Sequence, residues 1–126
     1  MDTGKMNNYK YYSGYDYEPE VVLESDNPQM EILHIWDGFF TFIFGNAKTN
    51  GSGWHGFTKD YNQCEGAFGD DEEDVITDLQ EYIDDMKQYE TKQFKFKETK
   101  EVYNLLCSWF KEANEKGCKS ITVKIN

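Results

Sequence analysis

The stretch GDDEEDVITDLQEYIDDMKQYE, residues 69–90, carries ten acidic residues and a single lysine. Carboxylates at that density suit three kinds of chemistry: holding a metal ion, acid/base work, or meeting a cationic macromolecule. The metal reading fails on spacing. A calcium loop needs glycine at its sixth position and a glutamate at its twelfth. Counted from Asp70, the sixth residue is Val75. Cys64, Cys107, Cys118, His34 and His55 show no zinc-ligand spacing either. No metal and no cofactor are therefore expected.

Acid/base and nucleophilic chemistry have few carriers. His34 falls inside an apolar run, where a hydrogen-bonded structural histidine is the ordinary outcome. His55, in GSGWHGF, is the better acid/base candidate, with Cys64 or Cys107 as its candidate thiol partner in a Cys/His pair, but no local signature supports such a pair. GNAKTNGSG lacks the glycine and Gly-Lys-Ser/Thr spacing of a phosphate loop. All thirteen basic residues are lysine, so no bidentate guanidinium clamp is available for phosphoryl transfer. Acids are so numerous that any two could be nominated for glycoside chemistry, which gives that reaction no support. No catalytic residue is assigned, and a small enzyme centred on His55 stays only as an alternative.

A cationic partner is the remaining reading. Val75, Ile76, Leu79, Ile83 and Met86 recur at helical spacing, which predicts an amphipathic helix over about 71–88. On that helix Asp71, Asp74, Asp78, Glu81 and Asp85 form a ridge about 15–20 Å long. Asp84 flanks it, and Tyr82 and Tyr89 add aromatic contacts. These eight residues are the predicted partner-binding set. Acids in the first turn complement the helix dipole. That argument does not reach Asp84 and Asp85 near the other end, where only Lys87 offers a counter-charge. Another element of the fold or a partner must offset them. An ordinary solvated face is the competing explanation.

Charge is unevenly spread. Residues 60–91 hold twelve acids and one lysine, a local −11, which equals the net charge of the whole chain. Residues 1–59 hold eight acids and four lysines; residues 92–126 hold four acids and eight lysines. A field of that sign disfavours nucleic acid and anionic membrane and favours capture of something basic.

Elements must position these groups. EVVLE (20–24) reads as a strand. EILHIW, Asp37-Gly38 and FFTFIF read as a hairpin with a type I′ turn, with Leu33, Ile35, Phe40, Phe42 and Phe44 on one face. WHGFT (54–58) and KQFKFK (92–97) read as further strands, and SITVKI (120–125) as a closing one. Thr99 is read as the cap of a second helix running through Asn114, stopped by Gly117. Residues 1–19 form either a loose Tyr-rich arm, itself a candidate contact surface, or a peripheral strand. The expected fold is α+β, an antiparallel-rich sheet of about five to six strands with two amphipathic helices packed on it, in one domain over 1–126.

Aromatic residues make up 17% of the chain, enough for a sizeable core and against disorder. No window reaches the roughly 18 apolar residues of a membrane span, and the opening residues contain no signal-peptide core, so a cytoplasmic setting is expected. Scattered cysteines in odd number fit reduced thiols.

A small, acidic, aromatic-rich α+β chain with DDEEDVITDLQEYIDD, HIWDGFFTFIF and a KGCKSITVKIN ending resembles the bacterial toxin-immunity proteins of contact-dependent growth inhibition and other polymorphic-toxin systems. The resemblance is one of overall character and carries no residue assignments. It implies a non-enzymatic antitoxin that binds and neutralises one cognate toxin, commonly a basic nuclease. The alternative in the same surface is an acidic nucleic-acid mimic that inhibits a host or phage DNA- or RNA-binding enzyme.

Overall fold

The computed structural model describes residues 6–45, 55–62 and 73–125. Five strands form one mixed sheet: β1 (Asn7–Tyr11), β2 (Glu20–Ser25), β3 (Ile32–Trp36), β4 (Glu73–Ile76) and β5 (Ile121–Ile125), in the order β1-β3-β2-β5-β4. Four helices accompany them: α1 (Asp37–Phe44), α2 (Gly56–Asp60), α3 (Leu79–Lys87) and α4 (Lys97–Glu115). The fold is α+β, as expected.

Three of the four strand pairings are antiparallel, and β1 runs parallel to β3 at one edge. Register follows from alternation. Val21 pairs with Ile35 and Ile125, and Leu23 with Leu33 and Val123, so one face presents a continuous apolar surface. Val21, Leu23, Leu33, Ile35, Ile121 and Val123 are all buried there in one core with the helices. No helix among the described residues is long and apolar enough to cross a membrane.

The expected hairpin is absent: after Trp36 the chain turns into α1. A type I′ turn requires positive φ at both central residues, and neither Asp37 nor Gly38 has it. Burial explains the choice. Phe39, Phe40, Ile43 and Phe44 are buried while Phe42 is 42% exposed, a helical and not a two-residue period. A helix puts four large side chains into the core where a strand would put Phe42 in and Phe39 out. Gly38 serves the Trp36 indole, whose Cζ2 would lie 2.3 Å from any added Cβ.

Residues expected to start a helix near 71 instead form β4, and α3 begins only at Leu79. Val75 and Ile76 are β-branched and pair with Thr122 and Ile121. Asp78 then caps α3, its carboxylate accepting the Glu81 N–H at 3.0 Å. Two other expected strands are also corrected. The described part of 54–58 opens α2, and 92–96 runs without strand pairing into α4.

Helix α4 starts at Lys97, so Thr99 is its third residue and Phe96 holds the cap position. Its end matches expectation. Gly117 has φ +77°, its N–H reaches the Asn114 carbonyl at 3.2 Å, and the Cys118 N–H reaches that of Ala113 at 3.0 Å. That double closure is a Schellman motif. The described part of the N-terminal segment is tied down: β1 pairs with β3, and Tyr15 stacks on Trp36.

Candidate functional site

The acidic region centres on α3 and on the short helix α2 that lies against it. Gly56, with φ +53°, opens α2. A Cβ there would stand 3.1 Å from the Asp85 Cβ and 3.2 Å from the Tyr82 Cα. Glycine is what allows the first turn of α2 to reach the α3 backbone.

That first turn has no cap of its own, because His55 contributes no side-chain hydrogen bond. Carboxylates from α3 supply it. Glu81 Oε2 accepts the Gly56 N–H at 3.0 Å. Asp85 Oδ2 accepts the Thr58 N–H at 3.1 Å and its hydroxyl at 2.9 Å, while Asp85 Oδ1 accepts from Gln88 Nε2 at 2.8 Å. Two acids one turn apart on α3 thus meet the positive end of α2. Burial pushes the Asp85 carboxyl above its ordinary range, and the Thr58 and Gln88 donors oppose that shift.

The predicted ridge is therefore split. Asp71 lies outside the described residues. Asp74 is on β4, exposed, with Oδ1 accepting the Val75 N–H. Asp78 is the exposed α3 cap. Glu81 is half-buried on Gly56. Asp85 is only 6% exposed and fully engaged, so it is not available to a partner. Asp84 stays exposed, taking hydrogen bonds from Gln80 at 2.9 Å and Lys87 at 3.4 Å, which hold its carboxyl below the ordinary range.

Both predicted tyrosines serve the interior. Tyr82 donates to Asp60 at 2.6 Å and sets its ring against Phe57 and Phe110. Tyr89 shares a 2.6 Å hydrogen bond with Thr58 and meets Phe44 edge-on. Asp60 is pushed up to about 6, first by burial and then by the nearby Asp74 charge, against the lowering hydrogen bond from Tyr82. A third pair, Tyr61 donating to Asp37 at 2.8 Å, ties α2 to α1.

What remains on the surface is a shorter row. Asp78, Glu81 and Asp84 follow one another at three-residue spacing along the outer side of α3, about 9 Å from end to end. Sequence reasoning found these acids but missed that Glu81 and Asp85 cap a neighbouring helix. The signal available was Asp78 followed three residues later by Glu81, a helix-start pattern that would have moved the boundary.

His55 is exposed and lines a depression of about 320 Å³ with Glu81, Asp84, Asp85 and Gln88. Cys107 lines a different groove, between α3 and α4, and Cys64 lies outside the described residues. His55 and Cys107 thus line different depressions, and the pairing with Cys64 lies outside the described residues. Asp85 beside His55 is buried and accepts three hydrogen bonds, from the Thr58 N–H and hydroxyl and from Gln88, so it serves the α2–α3 contact. His34 is a structural histidine. Its ring nitrogens lie 2.6 Å from Glu20 Oε2 and 2.8 Å from Asn7 Oδ1, and Tyr9 stacks on the ring at 4.0 Å. Among the described residues no three His, Cys, Asp or Glu side chains are grouped to hold a metal ion.

Of the Tyr-rich segment, Tyr11 is buried, Tyr15 is stacked, and Tyr9 and Tyr17 are exposed. In comparisons with known proteins the chain matches no family model, no curated protein and no solved structure.

Proposed function

We propose that this chain is a non-enzymatic immunity-type protein that captures a basic partner, a nuclease toxin being the best fit, on the outer side of α3. The observation that carries the reading is the row of exposed Asp78 and Asp84 with half-buried Glu81 between them, and Asp74 on the adjoining strand, in a stretch whose only lysine is Lys87. Neither Asp74 nor Asp78 meets a lysine among the described residues. Docking of α2 fixes the row: Glu81 is anchored on Gly56, and Asp85 below it on Thr58. A row of carboxylates held in place gives up little entropy when a cationic surface arrives. Long-range attraction to a chain of net charge −11 then raises the encounter rate.

The test is protection in cells. Production of the chain should rescue bacteria that express a basic nuclease toxin captured with it from the producing strain. Neutralising Asp74, Asp78 and Asp84 together should remove the rescue without unfolding the protein. Full rescue by the neutralised chain would place the interface elsewhere.

A further inference from the structure

Residues 92–100, KQFKFKETK, hold four lysines and one acid in a chain that is acidic as a whole. Their apolar members do not disappear into the core. Phe96 is 49% exposed and Phe42 42% exposed, and the two rings meet at 5.6 Å. With Phe94, Lys92, Lys95 and Thr99 they line a depression of about 150 Å³ at the start of α4.

Two unmet requirements coincide there. The first turn of any helix presents N–H groups without intrahelical partners and the positive end of the dipole. Helix α4 is nineteen residues long, and Phe96 at its cap position has no side-chain acceptor to offer; its carbonyl takes the Thr99 N–H at 3.2 Å. Thr99, in that same turn, is 1% exposed, and its Oγ1 has no hydrogen-bond partner. A buried hydroxyl without a partner destabilises a fold, so its retention calls for a reason. Lys92 and Lys95 add positive charge at the rim. Lys95 Nζ stands 5.5 Å from the Phe96 ring and Lys92 Nζ 5.4 Å from that of Phe94. Glu98, the acid of this turn, is exposed and does not line the depression.

We infer that this depression is an oxyanion site for a phosphate or carboxylate carried on an aromatic body. The anion accepts from Thr99 Oγ1, Lys95 supplies counter-charge, and the attached ring packs on Phe42 and Phe96. The site is separate from the acidic side of α3, and its fate does not decide that of the proposed interface.

The experiment is a titration of the ¹⁵N-labelled full chain, followed by NMR, with inorganic phosphate, phenyl phosphate and phenylacetate against sodium chloride at equal ionic strength. Shifts of the Lys95, Phe96 and Thr99 amides that saturate are expected with phenyl phosphate at lower concentration than with inorganic phosphate. Phenylacetate distinguishes a carboxylate source from a phosphate one. Thr99→Val, which keeps the shape and removes the donor, should weaken binding about tenfold or more while raising the urea midpoint. Lys95→Gln, on the surface, should weaken it severalfold and leave the fold intact. Amides that respond to all four salts alike, or binding undiminished in both variants, would overturn the assignment.

Discussion

Asp85 accepts both the backbone N–H and the hydroxyl of Thr58, at 3.1 and 2.9 Å, from a position only 6% exposed. An acid near the end of an acidic helix is thus held by the start of another helix. Asp85→Ala would strand two donors in the interior and should cost about 2–3 kcal/mol. Asp84→Ala, one residue away and exposed, should cost less than about 0.5 kcal/mol. Urea unfolding of the two variants side by side checks this, and equal losses would mean that the α2–α3 contact is not structural.

The helical course of residues 37–44 makes a separate prediction. Phe40→Ala removes a fully buried ring and should cost about 3–5 kcal/mol. Phe42→Ala removes a ring that is 42% exposed and should cost about 1 kcal/mol or less. A hairpin would put both side chains on one face and make the losses similar.

Gly38 lies under Trp36, which in turn lies 4.5 Å from Tyr15 with the rings 7° from parallel. Gly38→Ala should push the indole aside, break that stack and destabilise by about 1–3 kcal/mol. Near-ultraviolet circular dichroism reports the change directly. An unaltered aromatic spectrum would show that the indole does not rest there.

Asp60 gives a pH signature. Its folded-state pKa of about 6 is above the ordinary 3.8, so between those values the folded protein binds the proton that the unfolded chain has released. Stability contributed by this residue therefore falls as pH rises from about 4 to about 6 and stays lower above that. Asp60→Asn keeps an acceptor for Tyr82 and should remove this slope. The difference between wild type and variant, from urea midpoints at pH 4.5 and 7, should favour the variant at the higher pH. The opposite sign would mean that Asp60 is stabilised as a carboxylate.

For the proposed interface, Asp74→Asn, Asp78→Asn and Asp84→Asn combined should slow association with a basic toxin about tenfold or more at low salt and flatten the salt dependence. Asparagine at position 78 preserves the helix cap, so the thermal midpoint should change little. Surface plasmon resonance at two ionic strengths measures both effects. A lowered affinity with an unchanged association rate would argue for short-range contacts in place of steering.

Legibility in the sequence followed the locality of the cause. β2, β5 and α4 were readable because their alternation or their long apolar stripe agrees with their final state, and Gly117 marked the helix end by its own chemistry. α1 was not readable from its local pattern. Phe, Ile and Thr suit strands, and only the demand that Phe39, Phe40, Ile43 and Phe44 share one core decides for a helix. The acids were found as a cluster, but their roles depend on α2, a five-residue helix with no signal of its own. Glu81 and Asp85 could be understood only once Gly56 and Thr58 were placed beside them.

Glu81 and Asp85 hold the start of α2, and eleven residues past Glu81 the chain has already turned back to α1: Lys92 Nζ donates to the Phe42 and Ile43 carbonyls at 3.1 and 3.0 Å. Helices of five and eight residues do not persist alone in water, so both depend on this one segment for their ends. Loss of α3 would free α1 and α2 together, and amide exchange across all three should report a common opening energy in place of graded fraying from each tip.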